Sequence, residues 1–170
     1  DVLAIARADN EACIQVFFIR NGKLMGREYF VMEGTEEIPD DEVMGEFIKQ
    51  FYTEAAVIPD QVLLPNEIEE AQIIHTWLNT RRGGGKVELS VPREGTAQEL
   101  VAMATENAVE TLNALRSQWE ADKNKQVQAL GELQAALGLT QAPNRIECYD
   151  ISNTQGTAAA DRYFRASQRR

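Results

Sequence analysis

The chain has 170 residues and a net charge of −10, and 44% of its residues are hydrophobic. This composition is typical of a folded globular protein and excludes a disordered chain. No apolar run approaches the roughly 20 residues that a membrane-spanning helix needs, and no basic region followed by an apolar one indicates a secretion signal. We therefore expect a cytoplasmic protein with no membrane partner.

The negative charge is unevenly distributed along the chain. Residues 161–170 contain four Arg and one Asp and so carry +3, which leaves −13 on residues 1–160. A body of this charge repels a phosphate backbone at long range. We expect weak or no DNA binding by this chain alone.

Cysteine and histidine are too scarce for a standard zinc site, since the chain has two Cys and one His. Cys13 and Cys148 each lie in an apolar strand-like run, which favours buried free thiols over a disulfide. His75 follows Ile73 and Ile74 in a predicted helix and has no second ligand nearby in sequence. It is therefore predicted to be a partly buried helix residue.

The first 32 residues predict three strands, with sequences VLAIARA (2–8), ACIQVFFIR (12–20) and KLMGREYFVM (23–32). Asn21 and Gly22 separate the second and third strands, and this pair is the strongest short hairpin signal because both residues tolerate positive φ. A short turn at 9–11 separates the first two. The segment is predicted to form an antiparallel meander.

Helices and strands then alternate. Helical spacing of apolar residues predicts helices at 39–55, 67–82 and 96–119, and short apolar runs predict strands at 61–65 and 86–92. The second helix is predicted to bury Ile73, Ile74, Trp77 and Leu78. Strands reached through helical crossovers lie parallel to their neighbours. The element order is that of a ribonuclease H-like fold, an α/β protein with a mixed five-stranded sheet of order 3-2-1-4-5.

The remaining sequence predicts a helical linker and one more strand. A polar run at 120–126 is predicted to separate the third helix from a weaker helix at 127–139, and a strand follows at 145–151. We accordingly divide the chain into a catalytically inactive ribonuclease H-like domain (1–119), a helical linker (120–144) and the truncated start of a second domain (145–170).

Four segments resemble the UvrC family, the incision subunits of bacterial nucleotide excision repair. RIECYDISNTQGTAAA (145–160) resembles the opening of the UvrC nuclease domain. ACIQVFFIRNGKLMGREYF (12–30), VLLP (62–65) and VELSVPREGTAQELVAMATENA (87–108) resemble earlier UvrC segments in the same order. The sequence 161–170 departs from the family pattern, because a valine-rich second strand is expected there and none is recognised.

The resemblance implies an endonuclease that incises the damaged strand on the 5′ and 3′ sides of a lesion, within a complex of UvrB and DNA. Carboxylates in such a site hold Mg²⁺ or Mn²⁺ to activate water. The family's strand acid lies in the DIS context, which implies that Asp150 is a catalytic metal ligand in the intact protein. The other acids of that site lie further along. The site is therefore incomplete here, and we expect neither bound metal nor incision by this chain alone.

Other interpretations remain open at this stage. Asp150 could be a plain strand-end acid that caps the SNTQG turn (152–156). In the first domain, Asp9, Glu46, Asn66 and Glu67 do not supply the acids that a ribonuclease H-like site needs on the first strand, first helix and fourth strand.

RRGGGK (81–86) is predicted to be a solvated loop in preference to a phosphate cradle, since it lacks the Ser or Thr of a Walker motif. The alternative function is a free-standing, non-catalytic protein-interaction domain.

Overall fold

The computed structural model describes the backbone of residues 1–153 and 159–167 and the side chains of residues 1–147. The chain divides into two compact units, Asp1–Ser117 and Gln118–Arg170. The elements are β1 (Val2–Ala8), β2 (Glu11–Arg20), β3 (Lys23–Glu33), α1 (Asp40–Glu54), β4 (Gln61–Leu63), α2 (Ala71–Arg81), β5 (Glu88–Ser90), α3 (Gly95–Leu137), β6 (Arg145–Asn153) and β7 (Ala159–Ser167).

The first unit contains a five-stranded mixed sheet of order β3-β2-β1-β4-β5. The β1–β2 and β2–β3 pairs are antiparallel, while β4 lies parallel to β1 and β5 parallel to β4. The predicted fold class and strand order are therefore confirmed. The described β5 is shorter than the predicted strand 86–92.

Two tight turns build the meander. Asn21 and Gly22 have φ of 52° and 71°, which is the left-handed backbone that the predicted hairpin turn requires. Asp9 has φ of 52° in the turn between β1 and β2. Asn and Asp tolerate this conformation better than other residues with a Cβ atom.

Helices cover both faces of the sheet. On one face, Leu3, Ile5 and Ile14 pack in the same buried cluster as residues of α1 and α2. On the other face, Val2 and Ala4 cluster with the first half of α3. Since neighbouring residues of β1 point to opposite faces, the buried part of the strand has to be apolar on both, and its sequence is apolar from Val2 to Ala6, before Arg7.

The two short helices follow the expected amphipathic pattern with one exception. α1 begins with Asp40, Asp41 and Glu42, whose negative charges favour a helix N-terminus. In α2, Ile74 is 1% exposed, whereas Ile73 is 66% exposed. The prediction that Ile73 points inward was wrong, because Ile73 lies about 100° around the helix from Ile74, on the side of α2 that faces solvent.

The third helix is longer than predicted. α3 runs without a break from Gly95 to Leu137, so the separate helices at 96–119 and 127–139 are one element. The polar run 120–126 contains Glu, Ala, Lys and Gln, which are good helix formers, and no Gly or Pro. Its polarity reflects exposure to solvent. The helix ends where Gly138 adopts a positive φ of 62°.

The second unit contains a two-stranded sheet. β6 pairs antiparallel with β7, and Asp150 lies opposite Arg162 in the backbone register. The sequence analysis expected a lone strand here. Tyr163 and Phe164 favour strands, and this preference was underestimated beside the four arginines of the segment.

None of the helices in the described part of the chain has a stretch that is both long and apolar enough to cross a bilayer.

Candidate functional site

The junction of β1, α1 and the end of β4 is where a ribonuclease H-like fold would carry its metal-binding acids. Here Ile5 of β1 and Met44 of α1 line that junction, beside Asn66 and Glu67 that follow β4. Ile5 is 8% exposed and belongs to the core. The cavity has a volume of only about 10 Å³, roughly the space of one water molecule. β1 therefore contributes an apolar side chain to this cavity, and the acids that line it, Asp40, Asp41 and Glu67, come from α1 and from the segment after β4.

Asp9 and Glu46, which the sequence already indicates do not supply a site, are not brought together. Asp9 forms an ion pair with Arg116 of α3, and the Arg116 Nε lies 3.8 Å from Glu11 Oε2. Glu46 belongs to α1, on the opposite face of the sheet. Asp9 thus anchors α3 to the β1–β2 turn, which is a structural role.

Glu46 lies in an acidic cleft between α1 and the segment before α2. Lys49 Nζ donates to Glu46 Oε1 at 2.5 Å and to Glu70 Oε2 at 3.0 Å. These two hydrogen bonds raise the pKa of Lys49 above its usual value. The cation joins the two elements and neutralises part of the cleft.

Within the described residues, no group of three or more His, Cys, Asp or Glu side chains is arranged to hold a metal ion. The first unit therefore does not fit a divalent metal at the junction. Asp150 lies in β6, but its side chain and the turn 154–158 lie outside the described residues. Its assignment as a metal ligand, and its alternative role in capping the SNTQG turn, stay predictions.

A buried polar network was missed by the sequence analysis. The Asp1 carboxylate accepts hydrogen bonds from Arg20 at 2.6 Å and from the Tyr52 hydroxyl at 3.0 Å. Burial raises the pKa of Tyr52. A tyrosine on the buried face of a helix needs a polar partner for its hydroxyl, and this was the available signal in the sequence. The network ties α1 to β1 and β2.

The arginines of the loop 81–86 serve the fold. Arg81 donates to the backbone carbonyl oxygens of Tyr52 and Thr53. Arg82 donates to the Lys86 carbonyl oxygen at 2.6 Å and contacts Asp60. Because both guanidinium groups have partners within their own unit, the arrangement favours the structural interpretation over a phosphate cradle.

Cys13 and His75 have the burial that the sequence predicts. Cys13 is a free thiol with 0% exposure, and burial raises its pKa to about 11. His75 is partly buried in α2. Both predictions are confirmed, whereas the side chain of Cys148 lies outside the described residues.

Two family models match the chain. The UvrC ribonuclease H-like domain matches residues 1–115, and the UvrC ribonuclease H endonuclease domain matches residues 134–162. The first match covers the five-stranded sheet with its helices. The second covers β6 and ends at the second residue of the segment 161–170, which the sequence analysis identified as departing from the family pattern.

Curated relatives give the same result. Proteins named UvrABC system protein C from Clostridioides difficile, Acetivibrio thermocellus and Desulforudis audaxviator are 46%, 44% and 48% identical over 92% of this chain. The chain spans about a quarter of their length, 25–26%. Since the ribonuclease H-like model alone matches more than half of the chain, the chain belongs to the UvrC family.

Proposed function

We propose that this chain is the central part of an excision nuclease subunit of nucleotide excision repair, and that its five-stranded domain is a non-catalytic scaffold. The observation that carries the proposal is that β1 contributes only the apolar Ile5 to the cavity beside α1 and the end of β4, and that no three acids of the described residues are arranged to hold a metal ion. A metal-dependent nuclease site needs several oxygen ligands around its ions. β1 of the first unit supplies no oxygen ligand at this junction.

The second part of the proposal concerns Asp150. The endonuclease-domain match includes this residue, and a carboxylate is the oxygen donor that Mg²⁺ and Mn²⁺ prefer. In the intact protein, Asp150 would contribute one ligand of a metal site that activates water for the 5′ incision. One carboxylate alone holds Mg²⁺ weakly, so the chain by itself would neither retain the metal nor cut DNA.

The partners follow from the same proposal. The intact protein would act on damaged DNA presented by UvrB, in the cytoplasm where the bacterial chromosome lies. This chain would contribute little to the affinity for DNA, because residues 1–160 carry a charge of −13 that opposes phosphate binding.

An incision assay tests the proposal. The purified chain is incubated with a damaged duplex and Mg²⁺ or Mn²⁺, with and without a UvrB–DNA complex, beside a full-length relative as positive control. We expect the relative to cut on both sides of the lesion and the chain to leave the duplex intact. Metal-dependent cutting that follows the chain through purification would contradict the scaffold assignment.

A further inference from the structure

β3 is one of the two edge strands of the five-stranded sheet. It has 11 residues and pairs with β2 along one side, and no other described strand pairs with its second side. Native edge strands are usually protected, because their free backbone groups can accept another strand. Leu24, Met25 and Tyr29 of β3 are 50%, 68% and 51% exposed. This edge is long, accessible and partly apolar.

A groove of about 440 Å³ runs between β3 and α1. Its apolar floor and polar rim are formed by residues on one face of each element, namely Glu28, Phe30 and Met32 of β3 and Phe47, Phe51 and Glu54 of α1. The spacing i, i+2, i+4 on the strand and i, i+4, i+7 on the helix places each set along the groove.

The floor of the groove is an aromatic cluster. The ring centroids of Phe30 and Phe47 are 5.2 Å apart, those of Phe47 and Phe51 are 5.4 Å apart, and those of Phe30 and Phe51 are 5.6 Å apart. These separations are typical of favourable aromatic packing. The three rings therefore hold each other in place, and the groove is preformed.

The rim of the groove carries negative charge. Glu28 and Glu54 line it together with Gln50, and the lining contains no Lys or Arg. Both carboxylates are exposed. An occupant must therefore combine an apolar side chain for the floor with cationic side chains for the rim, and nucleic acid has the wrong charge.

We propose that the β3–α1 groove binds an extended protein segment whose groove-facing positions, every second residue, include both apolar residues and Lys or Arg, and that this segment adds to the edge of β3 as a sixth strand. An open strand edge beside a helix-walled apolar groove is the arrangement used in peptide recognition by strand addition. The backbone of the segment hydrogen-bonds to β3, every second side chain enters the groove, and the cations approach Glu28 and Glu54.

This inference is independent of the proposed function, since it requires neither incision nor metal binding. The occupant is a protein segment with apolar and basic side chains on its groove-facing side. The structure gives the chemistry that such a partner must have and the two elements that it contacts.

A random peptide library displayed on phage and selected on the immobilised chain provides the first test. We expect the selected peptides to carry apolar and basic residues together at every second position, which is the set that faces the groove. The winning peptide is then synthesised, and backbone amide shifts of the chain are measured by NMR during titration. The largest shifts should fall in β3 and in the part of α1 that lines the groove. No enrichment, or shifts elsewhere, would overturn the proposal.

Matched charge reversals provide the second test. Glu54→Lys should weaken peptide binding by about tenfold or more, because it places a cation on the rim of the groove. Glu110→Lys makes the same change of net charge at an exposed position of α3, which packs on the opposite face of the sheet, and should leave the affinity unchanged. Equal effects of the two substitutions would show that the peptide binds through nonspecific electrostatic attraction. That result would contradict binding in the groove.

N-methylation of the peptide tests the added strand itself. Two versions of the selected peptide carry N-methyl groups on alternate residues, one on the odd and one on the even positions. Only one set of amides can point toward β3, so one version should lose binding and the other should retain it. If both versions bind equally, the segment does not add as a strand. Competition by duplex DNA at physiological salt would likewise contradict the assignment of a protein segment.

Discussion

The two segments that match ribonuclease H-like family models differ at their opening strands. β1, in the first segment, is buried on both faces and carries Ile5 at the junction where the fold can place an acid. β6, in the second segment, contains Asp150 and pairs in a two-stranded sheet. The comparison teaches that the five-stranded sheet forms with an apolar β1 and needs no acid within this strand. The chemistry depends on a few side chains that the packing does not require.

The largest expected effect concerns Asp150. In a full-length relative, replacing the residue equivalent to Asp150 with Ala should slow the 5′ incision by about a thousandfold or more, because loss of a metal ligand removes several kcal/mol of transition-state stabilisation. The 3′ incision should stay at its normal rate. Gel analysis of a substrate labelled at both ends measures the two cuts separately. Normal 5′ cutting would make Asp150 a turn residue and remove the chemical contrast between the two strands.

Placing an acid in the first segment provides the converse test. Ile5→Asp should reduce the free energy of unfolding by about 4 kcal/mol, because it buries an unpaired carboxylate near Asp40 and Glu67. Ile5→Val is the control and should cost about 1 kcal/mol. Urea unfolding with and without Mg²⁺ measures both variants. Stabilisation of the Asp variant by Mg²⁺ would show that the junction retains a metal-binding geometry.

The two halves of α3 allow a matched comparison of packing, since one half belongs to each unit. Leu112 is 1% exposed and Leu137 is 63% exposed. Leu112→Ala should destabilise the first unit by about 3 kcal/mol through lost burial and a cavity, whereas Leu137→Ala should change stability by less than about 0.5 kcal/mol. Urea unfolding followed by tryptophan fluorescence distinguishes them. Equal costs would indicate that the distal half of α3 is buried in solution.

The smallest expected effect is a pH dependence of the first unit. Burial raises the pKa of Cys13 from 9.0 to about 11, so above pH 9 the unfolded chain releases a proton that the folded chain retains. Stability should therefore fall by about 1–2 kcal/mol as the pH rises from 9 to 11. Tyr52, whose pKa is also raised by burial, adds to this loss. The Cys13→Ala variant should lack the part of this stability loss that comes from the Cys13 thiol. An unchanged pH dependence in this variant would mean that Cys13 is accessible to solvent.

The sheet was predictable from the sequence because its signals are local. Asn21 and Gly22 specify a hairpin by themselves, and the continuous apolar character of β1 specifies a strand covered on both faces. The linker region was predicted less well, because the polar run 120–126 was taken as a helix end although its residues favour helix. The network of Asp1, Arg20 and Tyr52 joins positions that are far apart in sequence, so the buried position of Tyr52 indicates that it needs a polar partner but not which residue supplies it.

The candidate site was predictable only through the resemblance. Asp150 is one of two acids in β6, beside Glu147, and local sequence does not distinguish it as a ligand. Its metal-binding role stays a prediction. The domain limits 1–119, 120–144 and 145–170 also stay predictions. The groove beside β3 could not be foreseen from the sequence, because its two walls are separated by a loop and meet only through the packing of α1 on the sheet.

The mixed sheet also has a consequence for the order of folding. β1, β2 and β3 are joined by two short turns, and hairpins of this kind close in about 1–10 μs. β4 reaches β1 only after the α1 crossover, where Val2 pairs with Leu63, and such non-local pairings form slowly because a long loop must first be closed. In pulsed hydrogen exchange during refolding, amides of the meander should therefore gain protection before those of β4 and β5. The boundary between β1 and β4 is then the last part of the sheet to form and the first to separate.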